Sequence, residues 1–177
     1  MSRLLTRAAS SSLALFALAG CALPGPQVPD KLKAPSAQAV NVVAYAQGVQ
    51  IYECQAGKTN PARFEWAFKG PQATLADRAG KIIGKHYAGP TWESDDGSKV
   101  VGQTLASDPG PDANAIPWLL LSAKSVGGNG VLARTQTVQR VQTVGGKAPG
   151  ATCEATQAGT EARVPYQAIY YFYNARG

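Results

Sequence analysis

The stretch FEWAFK, residues 64–69, carries the clearest structural signal in the chain. Phe64, Trp66 and Phe68 occupy every second position, and polar or small residues stand between them. Successive side chains of a β-strand point to opposite faces, so this pattern predicts a strand with one buried and one solvated face. The same alternation occurs in GVQIYEC (48–54) and in residues 81–87, 98–105 and 134–144.

Two further segments are apolar on both faces, as expected of central strands: WLLL (118–121) and YQAIYYFY (166–173). The chain contains 19 Gly and 12 Pro, which interrupt every candidate helix except residues 71–79, a window of at most two turns. Many short strands separated by Gly and Pro turns predict an all-β fold. We expect an antiparallel β-sandwich or barrel of roughly eight to ten short strands with little helix. The pattern does not distinguish sandwich from barrel.

The N-terminal residues MSRLLTRAASSSLALFALAGC have the organisation of an export signal. Arg3 and Arg7 precede the apolar run LALFAL (13–18), which is too short to span a bilayer permanently. Leu18-Ala19-Gly20-Cys21 resembles the bacterial lipobox, so we predict removal of residues 1–20 and lipidation of Cys21. An ordinary secretory signal followed by a chance cysteine is the alternative.

The remaining chain divides into two parts. Residues 21–39 contain four prolines and few large apolar groups, which predicts a lipidated, extended tether. Residues 40–177 are long enough for a single all-β domain. We expect anchorage in the cell envelope through Cys21, on the periplasmic face of the outer membrane, because Ala22 is not the aspartate that retains many lipoproteins in the inner membrane.

The charge of the chain argues against one class of partner. Its 17 basic and 11 acidic residues give a net charge of +6, and the basic residues are scattered singly. Binding to nucleic acid normally requires a run or stripe of basic residues, so none is expected here.

The cysteines indicate an oxidising compartment. With Cys21 lipidated, Cys54 and Cys153 remain, and such a pair in an exported protein favours a disulfide. Two buried free thiols are the alternative. The spacing matches no zinc motif, and we predict neither a metal site nor a cofactor.

The densest polar segment is HYAGPTWESDDGS (86–98), which contains the only histidine. Asp96-Gly97 and Gly89-Pro90 are turn signals, so strands at 81–87, 91–94 and 98–105 would form a meander. This arrangement suggests a ligand cleft lined by His86, Tyr87, Trp92 and Glu93. We further expect His86 to reach solvent beside Trp92 and to hydrogen-bond a carboxylate. A purely structural role for these residues is the competing interpretation.

Two other chemistries are compatible with the segment. His86 with Glu93, Asp95 or Asp96 and a serine, Ser94 or Ser98, would form a hydrolase constellation, although no nucleophile-elbow motif surrounds either serine. A calcium site is the second possibility, although the spacing matches no EF-hand loop. Its candidate ligands are Glu93, Asp95, Asp96, Asp108 and Asp112.

One further charge has two interpretations. Arg140 lies within TVQRVQT, at the centre of a predicted strand. It could point inward and pair with a carboxylate, or point outward into solvent.

Four segments in order resemble a family of exported bacterial and fungal proteins known only as a domain of unknown function, DUF3455. They are GVQIYEC (48–54), HYAGPTWESDDGS (86–98), IPWLLL (116–121) and VQRVQTVGGKAPGATC (138–153). The resemblance covers most of residues 40–174 and implies no activity. Both Cys54 and Cys153 fall within these segments, which suits a structural bridge.

These observations favour a non-enzymatic envelope module that binds a small molecule or another envelope protein. A small hydrolase, or another enzyme that uses His86, is the alternative.

The lipid anchor leads to a direct test. Cys21→Ala should abolish membrane association, because the acyl chains are the only anchor that the sequence predicts. Detergent-phase partitioning of the wild type and the variant measures this. A variant that still entered the detergent phase would contradict the lipoprotein interpretation.

Overall fold

The computed structural model describes residues 23–176, so the predicted signal peptide and Cys21 lie outside the described residues. Eight antiparallel strands follow one another around a closed barrel. They are β1 (Gln38–Ala56), β2 (Phe64–Ala76), β3 (Ile82–Tyr87), β4 (Thr91–Ser94), β5 (Lys99–Asp108), β6 (Trp118–Gly127), β7 (Thr137–Gly145) and β8 (Glu161–Ala175). Two single 3₁₀ turns, Asp30–Leu32 and Ala155–Gln157, are the helical elements of this part of the chain.

The barrel closes because β1 pairs with both the second and the last strand. Residues 45–56 of β1 pair with β2, and residues 38–53 pair with β8. The prediction of an all-β antiparallel fold is confirmed, and the architecture is a barrel. The strands at the closure are longer than expected, at 19 residues in β1 and 15 in β8, because they pair with each other over most of their length.

The one window that Gly and Pro left open to a helix is not helical. Residues 71–76 belong to β2, where Gln72 pairs with Val49 on one side and with Tyr87 on the other. Pairing with two neighbours supplies the backbone hydrogen bonds of this segment from other strands, which outweighs its weak local preference for helix. By contrast, the predicted meander of β3, β4 and β5 is confirmed, as are the turns at Gly89 and Gly97.

The two ends of the barrel differ. We call the end formed by loops 57–63, 88–90, 109–117 and 146–160 the mouth, and the end formed by loops 77–81, 95–98 and 128–136 the base. Leu132, from the last of these loops, is buried at the base. The Asp96 carboxylate holds the same loop by accepting hydrogen bonds from the Val131 amide at 2.7 Å and from the Ser98 hydroxyl at 2.6 Å. The base is therefore closed by protein.

The interior is packed with alternating small and large side chains. Alanines on β1 and β8 leave space that aromatic residues from β4 and β8 occupy, as in other narrow barrels. The central members of this core are Ala44, Ala46, Leu75, Trp92, Val100, Leu121, Val138, Ala168, Tyr170 and Phe172.

Residues 23–33, which we call the N-terminal strap, lie across the outer face of the barrel. Leu23 pairs with Val40 at the start of β1, and Lys31 forms an ion pair with Asp108 at 3.0 Å. Between them, Leu32 is fully buried, and its carbonyl accepts a hydrogen bond from the Gln139 side chain. The segment expected to be an extended tether therefore contributes to the folded domain.

The strap also explains why two strands are apolar on both faces. Tyr170 and Phe172 point into the barrel, whereas Tyr173 points outward beside Gln139 and Gly25. The outer face of β8 is covered by the strap rather than by a second sheet. A strand that is apolar on both faces is compatible with either architecture, so the pattern did not distinguish a sandwich from a barrel.

The predicted disulfide between Cys54 and Cys153 is present. It joins the end of β1 to the loop 146–160 at the mouth. Cys54 also exchanges backbone hydrogen bonds with residues 159 and 160, so the loop is attached to the barrel by covalent and hydrogen bonds together.

Among residues 23–176, no helix is long and apolar enough to cross a membrane.

The disulfide should contribute substantially to stability. Replacing both cysteines, in the variant Cys54→Ser/Cys153→Ser, should lower the free energy of unfolding by about 2–5 kcal/mol, because the unfolded chain regains the freedom of a loop of nearly 100 residues. Thermal melts would show a decrease on the order of 10 °C. Reduction of the wild type should give the same decrease, and a reductant that left the melting temperature unchanged would contradict the expectation.

Candidate functional site

A cavity of about 410 Å³ lies at the mouth of the barrel and opens to solvent. Its size falls within the range of small-molecule sites, and its lining is mainly apolar and aromatic, as such sites usually are. The residues that line it include Gln50, Tyr52, Phe68, Lys69, Pro71, His86, Pro90, Trp92, Thr104, Ile116, Pro117, Leu119, Leu121, Arg140 and Tyr170.

Three aromatic rings in contact with one another form the floor of this cavity: two are stacked, and the third meets both edge to face. His86 and Trp92 are paired across β3 and β4, and their rings are nearly parallel, with centroids 4.5 Å apart. The Tyr170 ring meets both of them edge to face, at 5.1 and 5.3 Å. The indole has room because residue 102 is glycine. A Cβ at that position would lie 2.8 Å from the Trp92 ring.

His86 is neutral in this environment. It is only 3% exposed, and its Nδ1–H donates to the Thr91 carbonyl at 2.8 Å. Burial lowers the pKa of His86 to about 3; the Thr91 hydrogen bond opposes this shift and the nearby Arg140 charge adds to it. Since a carbonyl can only accept, Nδ1 carries the proton and Nε2 keeps its lone pair.

Arg140 points inward and has an unusual partner. Its Nε and Nη2 donate to the Pro117 carbonyl at 3.1 and 2.8 Å. Within residues 23–176, no carboxylate lies within ion-pair distance of this guanidinium. The inward orientation considered from the sequence is correct, whereas the carboxylate partner is not.

Several buried polar atoms around the floor also lack a protein partner. Gln50 Nε2, Trp92 Nε1 and the hydroxyls of Tyr166 and Tyr170 are inaccessible to solvent and make no hydrogen bond within the described structure. The two hydroxyls influence each other's pKa, yet neither satisfies hydrogen-bond geometry. Burial raises the pKa of both tyrosines, so both are neutral. Native interiors leave few such atoms unpaired, and the residues Gln50, Trp92 and Tyr170 also line the cavity.

The predicted cleft residues separate into two pairs. His86 and Trp92 line the cavity, whereas Tyr87 and Glu93 lie on the outer surface of the barrel. There Glu93 accepts a hydrogen bond from the Tyr87 hydroxyl at 2.6 Å and pairs with Lys99 at 3.0 Å and Lys85 at 3.3 Å. These contacts, the first above all, lower the pKa of Glu93 to about 2.

The remaining polar residues of the segment lie at the opposite end of the barrel. Asp95 and Asp96 are in the turn between β4 and β5, which belongs to the base. Hydrogen bonds from Ser98 and from the Val131 amide lower the pKa of Asp96 to about 2. Ser98 is buried, and its hydroxyl also accepts from the Leu132 amide.

The hydrolase constellation is therefore not assembled. The expected hydrogen bond from His86 to a carboxylate is wrong, as is its expected contact with solvent, because its partner is a backbone carbonyl in the interior. Ser98 bonds to Asp96 rather than to the imidazole. The calcium alternative gains no support, since no three acidic, histidine or cysteine side chains of the described chain converge on a point.

Sequence reasoning assigned only His86 and Trp92 of the lining to the cleft; the residues that it missed include Gln50, Pro117 and Tyr170. Two of these residues could have been found from the alternation of inward and outward side chains along a strand. Gln50 is in phase with Tyr52 of GVQIYEC, and Tyr170 is in phase with Phe172, so both were assignable to an inner face once one member was placed. Pro117 contributes only a carbonyl, which no side-chain pattern marks.

Comparison with known proteins agrees with the resemblance found in the sequence. The family model described as "Protein of unknown function (DUF3455)" matches residues 35–174. This range contains all eight strands except the final residue of β8, together with the residues of the cavity. No curated protein and no solved structure matches the chain.

The buried imidazole should make stability depend on pH in a defined window. The pKa of His86 is about 6.5 in the unfolded chain and about 3 in the fold, so below pH 6.5 the unfolded state binds the extra proton. Stability should fall as the pH decreases from 6.5, with a slope approaching about 1.4 kcal/mol per pH unit. Glu93 and Asp96 contribute only below about pH 4.5, because their pKa values are lowered from 4.5 and 3.8.

Denaturant unfolding between pH 4.5 and 7.5 measures this slope, and His86→Gln should flatten it. If that variant does not fold, NMR titration of the wild-type imidazole decides the question. A ring that titrated near pH 6.5 in the folded protein would contradict the expected burial.

Proposed function

The chain belongs to the DUF3455 family of unknown function, and we propose that it is a non-enzymatic binding protein that holds a small molecule in the mouth of its barrel. One observation carries the proposal: an open cavity with a mainly apolar and aromatic lining contains the inward-pointing Arg140, whose charge no carboxylate of the described residues neutralises. A concave apolar site with a few polar groups is the usual form of a small-molecule site.

The shape of the cavity supports binding of one compact molecule. The base is closed by the loop 128–136, whereas the mouth is open, so a ligand has a single route of entry. The disulfide and the hydrogen bond from the Tyr52 hydroxyl to the Gly146 carbonyl hold the loop 146–160 beside this opening. A fixed rim and a rigid sheet favour a preformed site.

The chemistry of the floor favours binding over catalysis. His86 donates to a backbone carbonyl and is neutral, and its nearest candidate nucleophiles and carboxylates lie on the outer surface or at the base. A general base works best with a pKa near the working pH, whereas the buried His86 has a pKa of about 3 and therefore accepts a proton poorly near neutrality.

We also propose that the domain acts in the bacterial cell envelope, anchored by a lipid on Cys21. The support is the N-terminal signal and lipobox-like sequence. The Cys54–Cys153 disulfide is consistent with folding in an oxidising compartment.

The binding proposal can be tested with a neutral apolar fluorophore. N-phenyl-1-naphthylamine should bind saturably with one molecule per chain, with quenching of tryptophan emission, because Trp92 forms part of the cavity floor. Leu119→Trp should fill the cavity and weaken binding at least about tenfold, a loss of about 1.4 kcal/mol.

Val126→Trp is the matched control, since Val126 is on the same strand and exposed. It should leave binding unchanged, and thermal melts would verify that both variants fold. Absence of binding by the wild type, or equal binding by the Leu119 variant, would refute the proposal.

A further inference from the structure

We infer that the ligand is an amphipathic monocarboxylate whose anionic head group lies against Arg140 at the cavity mouth. This inference rests on the proposed function, because it specifies the chemical class of the molecule that the cavity holds. It follows from the charges, the hydrogen-bond inventory and the shape of the lining.

The cavity has one positive charge that the protein does not neutralise. Its lining contains two cationic side chains, Lys69 and Arg140, and no carboxylate. Lys69 is already compensated by Glu53 at 2.7 Å and Glu161 at 2.9 Å. Arg140 has only the Pro117 carbonyl, so its charge is unbalanced among the described residues.

The groups that face Arg140 do not provide a counter-charge. Its neighbours are His86 from β3, Tyr52 from β1, and Tyr166 and Tyr170 from β8. Burial keeps the imidazole neutral and raises the pKa of each of these hydroxyls. A half-buried cation surrounded by neutral groups is unfavourable without an anion, and one cation calls for one negative charge.

The geometry of the guanidinium favours a carboxylate. Two of its five N–H groups are used on Pro117, which fixes the plane of the guanidinium; the neutral Tyr170 hydroxyl lies beside it, and Nη1 has no anionic partner among the described residues. A planar guanidinium matches the two oxygens of a carboxylate, and such charge-assisted hydrogen bonds are the strongest that side chains make. The Tyr52 and Gln50 side chains lie in the same lining and add polar contacts near the head group.

The rest of the cavity is suited to an apolar body. The His86 and Trp92 rings present a flat surface at the floor, and Leu119, Leu121 and Ile116 line the walls. Phe68 lies at the rim and is 58% exposed, so it would lose contact with water when an apolar group enters. A ligand with an acidic head and a compact apolar body matches both parts of the lining.

Matched pairs of ligands separate the head group from the body. Dodecanoate is compared with dodecanol, and 1-naphthoate with 1-naphthalenemethanol, by displacement of N-phenyl-1-naphthylamine from the full-length protein. Each wild-type carboxylate should bind about ten- to a hundredfold more tightly than its alcohol, the range that a charge-assisted hydrogen bond provides. Arg140→Gln should reduce that preference to nearly one; the preference is the ratio of two affinities measured in the same variant, so a general change in the cavity cancels.

Two further variants control this result. Arg163→Gln removes a cation from the outer surface, where Arg163 bonds to Gln72, and should leave the preference intact. Arg140→Lys keeps the positive charge but lacks the planar guanidinium, so it should lower the preference only in part. It replaces Arg140→Gln as the test variant if the glutamine variant does not fold.

The outcomes separate the two proposals. If the fluorophore binds but neither carboxylate is preferred, or if Arg140→Gln keeps the preference, the carboxylate inference is overturned and the binding proposal remains. If the fluorophore does not bind the wild type, the proposed function itself fails.

Discussion

Closure of the sheet through β1 is the constraint on which the rest of the structure depends. Because β1 pairs with β2 over residues 45–56 and with β8 over residues 38–53, the sheet closes on itself and eight strands set the diameter of the barrel. A barrel of this size has an interior just wide enough for side chains or for one small ligand. Here the two solutions occur together, with side chains filling the base and a cavity remaining at the mouth.

The interior of the mouth is more polar than stability alone requires. A core optimised for packing would have no reason to place the Arg140 guanidinium without a counter-charge, or Gln50 and the indole N–H of Trp92 without hydrogen-bond partners, around an apolar cavity, since each such group weakens the fold. Local violations of this kind are concentrated at functional sites in natural proteins.

The alternation in FEWAFK and the turn residues of the segment 86–98 were sufficient to predict an all-β fold and the β3–β4–β5 meander. The site was predicted only in part. His86, Tyr87, Trp92 and Glu93 were assigned to one cleft because they are close in sequence, although consecutive residues of a strand point to opposite faces of the sheet. A three-residue turn at 88–90 pairs His86 with Trp92 and Lys85 with Glu93. That register places the first pair inside and the second outside, and it could have been derived from the turn length.

Other features had no signal in the local pattern. The carbonyl of Pro117 positions Arg140 from a loop 23 residues away, and the buried outer face of β8 depends on Leu32 and its neighbours in the strap. Both are contacts between segments far apart in sequence. Proline-rich composition predicts an extended segment, but whether such a segment packs depends on the surface that it meets.

The position of the strap determines how the barrel is oriented if Cys21 carries the lipid. Leu23 pairs with Val40 at the start of β1, whereas Gln50 at the cavity is ten residues further along that strand, a distance of roughly 30 Å. Leu23 and the opening are thus at opposite ends of the barrel, and only Ala22 separates Leu23 from Cys21 in the sequence. An anchored domain would stand with its base toward the bilayer and its opening toward the aqueous compartment. Ligand exchange would then occur with dissolved molecules or with a facing protein, and not by lateral transfer from the anchoring leaflet.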